Sequence, residues 1–90
     1  MPKALADFLG YVIYFWVADR NEPVHVHVAK GVPAKGATKI WIKADGIELA
    51  NNDGKIPSRD LKNLLNFINE NKDEIVVRWM EEFKHAEYKN

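Results

Sequence analysis

The sequence predicts an α+β fold, in which an antiparallel four-stranded meander sheet is covered on one face by one or two C-terminal helices. Three observations predict this fold: period-two alternation in the first half of the chain, turn-forming Gly, Asn, Asp and Pro residues between the alternating segments, and helical spacing of apolar residues after Pro57. The connections are too short for parallel crossovers, so the strands run antiparallel. The 90 residues are expected to form a single domain over positions 1–90.

Each strand is predicted from its own local pattern. Residues 2–8 are expected to form an irregular arm, Asp19–Pro23 a turn, and 30–38 a mobile loop rich in Gly and Pro. The Asp45-Gly46 pair suits a type I′ hairpin turn. The four predicted strands are Tyr11–Ala18, Val24–Ala29, Lys39–Lys43 and Ile47–Ala50.

The residues after Pro57 have the apolar spacing of helices. Ser58 is a plausible N-cap, and an apolar stripe follows it with spacing i, i+3, i+4, i+7. Asn71 followed by Glu74 resembles a second helix start, although one kinked helix also fits the spacing. The polar tail, residues 85–90, is expected to be frayed.

Composition excludes several classes of protein. The chain has no cysteine, which excludes disulfide scaffolds and thiolate metal sites. It has 13 basic and 13 acidic side chains, so nucleic acid is not a favoured partner. The longest apolar run, Tyr11–Ala18, is far shorter than the ~20 residues of a membrane span. We therefore expect a cytoplasmic protein that does not enter a membrane.

Strand alternation sorts the side chains onto two faces of the sheet. The aliphatic positions of the last three strands, together with Ile13, Phe15 and Val17, are expected to face the helices. The opposite face, called the outer face below, then carries Tyr14, Trp16, His25, His27, Lys39, Trp41, Lys43 and Glu48. We expect it to be open to solvent, because a chain of this length has no further layer to cover it.

The pair His25 and His27 allows a metal site on the outer face. Imidazoles at i and i+2 lie on one side of a strand, about 7 Å apart at Cβ, and can chelate a divalent ion. Asp19, Glu22 and Glu48 are the candidates for a further ligand. No other cofactor is expected.

Two other interpretations of the outer face remain open. The aromatic and imidazole groups can simply pack on one another across the strands. Alternatively, His25 and His27 form the acid/base pair of a ribonuclease, because the histidine pKa lies near neutral pH. In that case a phosphate would bind Lys39, Lys43 or Arg20. Bases would stack on Tyr14, Trp16 and Trp41.

Several stretches of the chain together have a familiar pattern. The most specific is the run from Pro23 through His25 and His27 to Val28, with Asp19 four residues before the proline. The other stretches are Met1–Lys3, Gly10–Ala18, Gly54–Pro57 and Trp79. Over nearly the whole chain they resemble a small bacterial family of uncharacterised proteins, domain of unknown function 4160. The loop 30–38 is longer than in typical members.

The resemblance implies no established activity. It implies one half of a two-gene module of toxin–antitoxin type, and therefore a small protein partner encoded nearby. Its pattern makes His25 and His27 the residues to test first. We expect the partner to contact the outer face at Tyr14, Trp16, Trp41, Lys39 and Lys43.

Overall fold

The computed structural model describes residues 2–89 and shows a five-stranded antiparallel sheet followed by two helices. Met1 and Asn90, which belong to the predicted N-terminal motif and tail, lie outside the described residues. The strands lie side by side in chain order, which confirms the α+β meander with one strand more than predicted. They are β1 (Lys3–Phe8), β2 (Tyr11–Tyr14), β3 (His25–Lys30), β4 (Thr38–Lys43) and β5 (Gly46–Asn51).

The additional strand is β1, where the sequence predicted an irregular arm. It pairs with β2 through a tight turn at Leu9 and Gly10, both with positive φ, as a type I′ hairpin requires. Ala4 and Leu5 are buried in the core. Pairing with β2 and burial outweigh the weak β-propensity of Ala, Leu and Asp in this segment.

The second strand is shorter than the predicted Tyr11–Ala18. It ends at Tyr14, and Val17–Asn21 forms a 3₁₀ helix where the sequence predicted the end of a strand and a turn. The Trp16 amide donates a hydrogen bond of 2.8 Å to the Asp19 carboxylate, which holds this reversal of the chain. Val17 therefore does not face the core as predicted, and its side chain is 56% exposed.

Two helices cover one face of the sheet, which decides between the two predicted alternatives. They are α1 (Ser58–Glu70) and α2 (Lys72–Phe83). Ser58 is the first helical residue rather than the N-cap. Asn71 lies between the two helices. Its side-chain amide donates a hydrogen bond of 2.8 Å to the Phe67 carbonyl and does not cap α2. Ile13 and Phe15 face this layer as predicted.

The outer face is covered in part, although the sequence predicted that it would be open. The loop at residues 31–37 folds over it, and the Tyr14 hydroxyl both donates to the Ala34 carbonyl and accepts from the Ala34 amide, each at 3.1 Å. Val12, Tyr14 and Ala29 form a second small apolar cluster there, with Trp16 and Ala37 packed against it. Tyr14 is 0% exposed as a result.

The C-terminal tail also contacts the sheet and is not frayed over its described part. The Val24 amide donates to the Glu87 carbonyl at 2.8 Å. Lys89 lies 3.2 Å from Glu48 and 5.2 Å from the centre of the Trp41 ring. The tail therefore crosses the end of β3, next to His25.

Within residues 2–89, neither helix has the length and apolar character that crossing a bilayer requires.

Candidate metal centre

His25 and His27 lie on the same side of β3, as the alternation predicted. In the register of the sheet, His25 is opposite Trp41, and His27 is opposite Lys39 on one side and Tyr14 on the other. The two imidazole rings meet edge to face, with centroids 5.0 Å apart. The valine between them, Val26, is in the core under the helices.

Asp19 completes a cluster of three polar groups. The 3₁₀ helix turns the chain back over the start of β3, so that Asp19 Oδ2 lies 3.1 Å from Nε2 of His25 and 3.1 Å from Nε2 of His27. The three donor atoms all lie within 4.8 Å of one another. The side chains of Asp19, His25 and His27 are 9%, 0% and 14% exposed, so the cluster is largely shielded from water.

One imidazole nitrogen of this cluster is left without a hydrogen bond. His25 Nδ1 lies 2.8 Å from the Pro23 carbonyl, which can only accept, so Nδ1 carries a proton. Its Nε2 is buried and, among the described residues, makes no hydrogen bond, although the Asp19 carboxylate is close to it. A buried imidazole nitrogen without a hydrogen bond therefore lies 3.1 Å from a carboxylate oxygen.

The carboxylate of Asp19 is held in its charged form. Burial alone would raise the pKa of Asp19, but the imidazoles of His25 and His27 and the Trp16 N–H outweigh it and hold that pKa well below its usual range. The site therefore combines one buried negative charge with two nitrogen donors.

A comparison with protein families matches residues 10–80 to the family described as Domain of unknown function (DUF4160). The chain belongs to this family. The matched segment contains all three residues of the cluster. A comparison with the curated proteins found no match, and neither did a comparison with the solved structures.

Of the three carboxylates predicted as further ligands of the DUF4160 domain, the structure brings only Asp19 to the histidines. Glu22 is paired with Lys39 at 2.8 Å. Glu48 lies 3.2 Å from Lys89 and 3.6 Å from Lys43, and mainly Lys89 lowers the pKa of its carboxyl group. The carboxylates of Glu22 and Glu48 therefore form ion pairs with lysine side chains instead of approaching the histidines.

The predicted contact residues of the outer face differ in their accessibility. Trp16 and Trp41 are half-buried, whereas Tyr14 is buried and does not reach the surface. Lys39 Nζ lies 4.2 Å from the centre of the Trp41 ring. Arg20, a predicted phosphate contact, is exposed on the 3₁₀ helix.

Two groups around His25 were not predicted as parts of the site. The Pro23 carbonyl fixes its protonation, and the Trp79 ring, predicted only as core or a partner anchor, packs against it with centroids 5.4 Å apart. The Trp41 ring lies at the same distance. The Pro-x-His spacing is the only sequence signal for the Pro23 contact, and Trp79 gives none because it lies more than fifty residues away along the chain.

Proposed function

We propose that this DUF4160 domain binds one divalent transition-metal ion through Asp19, His25 and His27. The observation that carries the proposal is that Nε2 of His25, buried 3.1 Å from the Asp19 carboxylate, makes no hydrogen bond among the described residues. Two electron-rich atoms at this distance repel each other unless a proton or a metal ion lies near both of them. A metal ion fills this role and also gives the buried nitrogen the partner that it lacks as a hydrogen-bonding group.

The distances suit a metal ion placed beside the line that joins the two atoms. With metal–nitrogen and metal–oxygen bonds of ~2.0 and ~2.1 Å, a nitrogen–oxygen separation of 3.1 Å corresponds to an angle of about 100° at the ion. The nitrogen lone pair then points to the ion and away from the oxygen. A bound ion would therefore be compatible with a close contact that is not a hydrogen bond.

The surroundings of the donors also support a metal centre. His25 donates its other ring N–H to the Pro23 carbonyl, and Asp19 accepts the Trp16 N–H. Outer hydrogen bonds of this kind orient histidine and carboxylate ligands in metalloproteins. Two imidazoles and one carboxylate suit zinc, copper, nickel or iron(II), whereas magnesium and calcium prefer oxygen ligands.

A zinc titration of the metal-free, tag-free protein tests the proposal. We expect one zinc ion per chain and, for His27→Ala, a Kd raised by at least about 10-fold, because even the loss of an outer partner costs that much. His85→Ala is the matched control, since His85 is exposed on the tail. Circular dichroism checks that each variant folds. No stoichiometric binding, or equal losses in both variants, would contradict the proposal.

A second candidate function is contact with a small protein partner in a two-gene, toxin–antitoxin-like module of a bacterial cytoplasm. The family resemblance implies this role. The favouring observation is that Trp16 and Trp41 stay half-exposed on the outer face, with Lys39 and Lys43 beside Trp41 on β4. Half-buried tryptophans are typical anchors of protein interfaces.

Co-expression with the product of the adjacent gene tests this second candidate. We expect the two proteins to co-elute, and the complex to be lost in Trp16→Ala and Trp41→Ala. Val77→Ala is the control, because Val77 is an exposed apolar residue on α2. A complex that survives both tryptophan changes, or the absence of a complex, would count against this role.

The ribonuclease interpretation has less support. His25 is 0% exposed, so only His27 is open to a substrate, and an acid/base pair needs both groups at the reacting atoms. It stays a prediction.

A further inference from the structure

We infer that the metal centre keeps one coordination position open on the side of His27, where water binds and small anions replace it. The inference rests on the proposed function, because it concerns the same ion. It adds a ligand class to the site, namely small monovalent anions.

The protein supplies three donor atoms, one fewer than zinc or cobalt(II) usually takes. Within the part of the chain that the structure describes, the nearby oxygen groups are engaged elsewhere. Glu22 is in a 2.8 Å ion pair with Lys39, and the Tyr14 hydroxyl is bound to Ala34. A fourth ligand from the protein would have to break one of these contacts, so the fourth ligand comes from solvent.

Access to the ion is limited to one side of the cluster. The ring of His25 is closed in by Trp41 and Trp79, each with centroids 5.4 Å away, and its side chain is 0% exposed. His27 has the largest exposed fraction of the three, at 14%. Solvent therefore reaches the ion past His27.

Size and charge select the ligand at this position. The Tyr14 and Trp16 rings lie 5.6 Å and 6.5 Å from the His27 ring, which leaves a narrow approach. A divalent ion bound to one carboxylate and two neutral imidazoles keeps one net positive charge, which attracts an anion in a site shielded from water. Small anions of single charge fit both conditions.

Cobalt(II)-loaded full-length protein tests the inference, with azide as the probe. Four-coordinate cobalt absorbs visible light much more strongly than six-coordinate cobalt, and the bands shift when a ligand is exchanged. We expect a saturable shift with one azide per cobalt, while the cobalt stays bound after desalting. No shift in the loaded protein overturns the open position. Failure to bind cobalt overturns this inference together with the proposed function.

Glu22→Gln is the matched variant for the fourth ligand. It removes the charge of the carboxylate beside Lys39 without changing its size. We expect the cobalt spectrum and the azide shift to equal those of the wild type. If the cobalt spectrum of the variant differs from that of the wild type, and azide shifts only the spectrum of the variant, Glu22 fills the fourth position. That result would overturn the inference.

Discussion

At the scale of single residues, the candidate centre depends most on Asp19. Its Oδ2 atom accepts a hydrogen bond from the Trp16 N–H and lies 3.1 Å from the Nε2 atom of each imidazole. One oxygen therefore connects the 3₁₀ helix to β3. The contacts outweigh the cost of burying the charge, as the lowered pKa of Asp19 indicates. Asp19 therefore stabilises the metal-free fold as well as supplying a ligand.

Asp19→Asn is expected to destabilise the metal-free protein by about 1–3 kcal/mol at pH 7, because hydrogen bonds to a charged group are lost. The pKa of Asp19 is lower in the folded than in the unfolded chain, so its stabilisation is present above the unfolded value of about 4 and is lost at lower pH. Urea unfolding at pH 7 and at about pH 3 measures this. Equal stabilities at pH 7, or a gap that does not narrow in acid, would contradict it.

At the scale of elements, periodicity predicted the parts that pack in regular layers. β3 and β4 lie within one residue of their predicted positions, and their valines and isoleucines are in the core. Alternate side chains of a strand lie on opposite faces of the sheet, so a regular alternation of apolar and polar residues indicates which side chains are buried. These elements, and the shared side of His25 and His27, could therefore be predicted from the sequence. The break at Asn71 was one of two alternatives and turned out to separate two helices.

The 3₁₀ helix could not be predicted, because the apolar run Tyr11–Ala18 continues through the residues where β2 ends. Without that turn, Asp19 could be proposed as a ligand only alongside Glu22 and Glu48. Choosing between them required the three-dimensional path of the chain. The cover over Tyr14 was equally hidden, since it depends on where the loop 31–37 folds.

The contact between the C-terminal tail and the sheet can be tested by deleting the tail. Deleting residues 85–90 removes the Glu87 carbonyl that accepts the Val24 amide, so we expect faster hydrogen exchange at Val24 and a stability loss of about 1 kcal/mol. Lys89→Ala is the control, because it removes the Glu48 ion pair and keeps the backbone bond. Unchanged exchange at Val24 in the deletion, or fast exchange in Lys89→Ala, would contradict the assigned contact.

At the scale of the whole molecule, the candidate centre lies where the separate parts of the fold meet. The 3₁₀ helix supplies Asp19, β3 supplies the histidines, and α2 contributes Trp79 against His25. An ion bound there would link the 3₁₀ helix to β3, and its binding free energy would add to folding stability. Zinc at 100 times its Kd would raise the free energy of unfolding by about 2.7 kcal/mol.

X-ray absorption at the zinc edge, on wild-type protein loaded with one equivalent of zinc and desalted, shows directly which side chains bind the ion. We expect the zinc to be retained, with nitrogen and oxygen neighbours at ~2.0–2.1 Å and outer scattering from two imidazole rings. Zinc that is lost on desalting, or retained with scattering from fewer than two imidazoles, would contradict a centre formed by Asp19, His25 and His27.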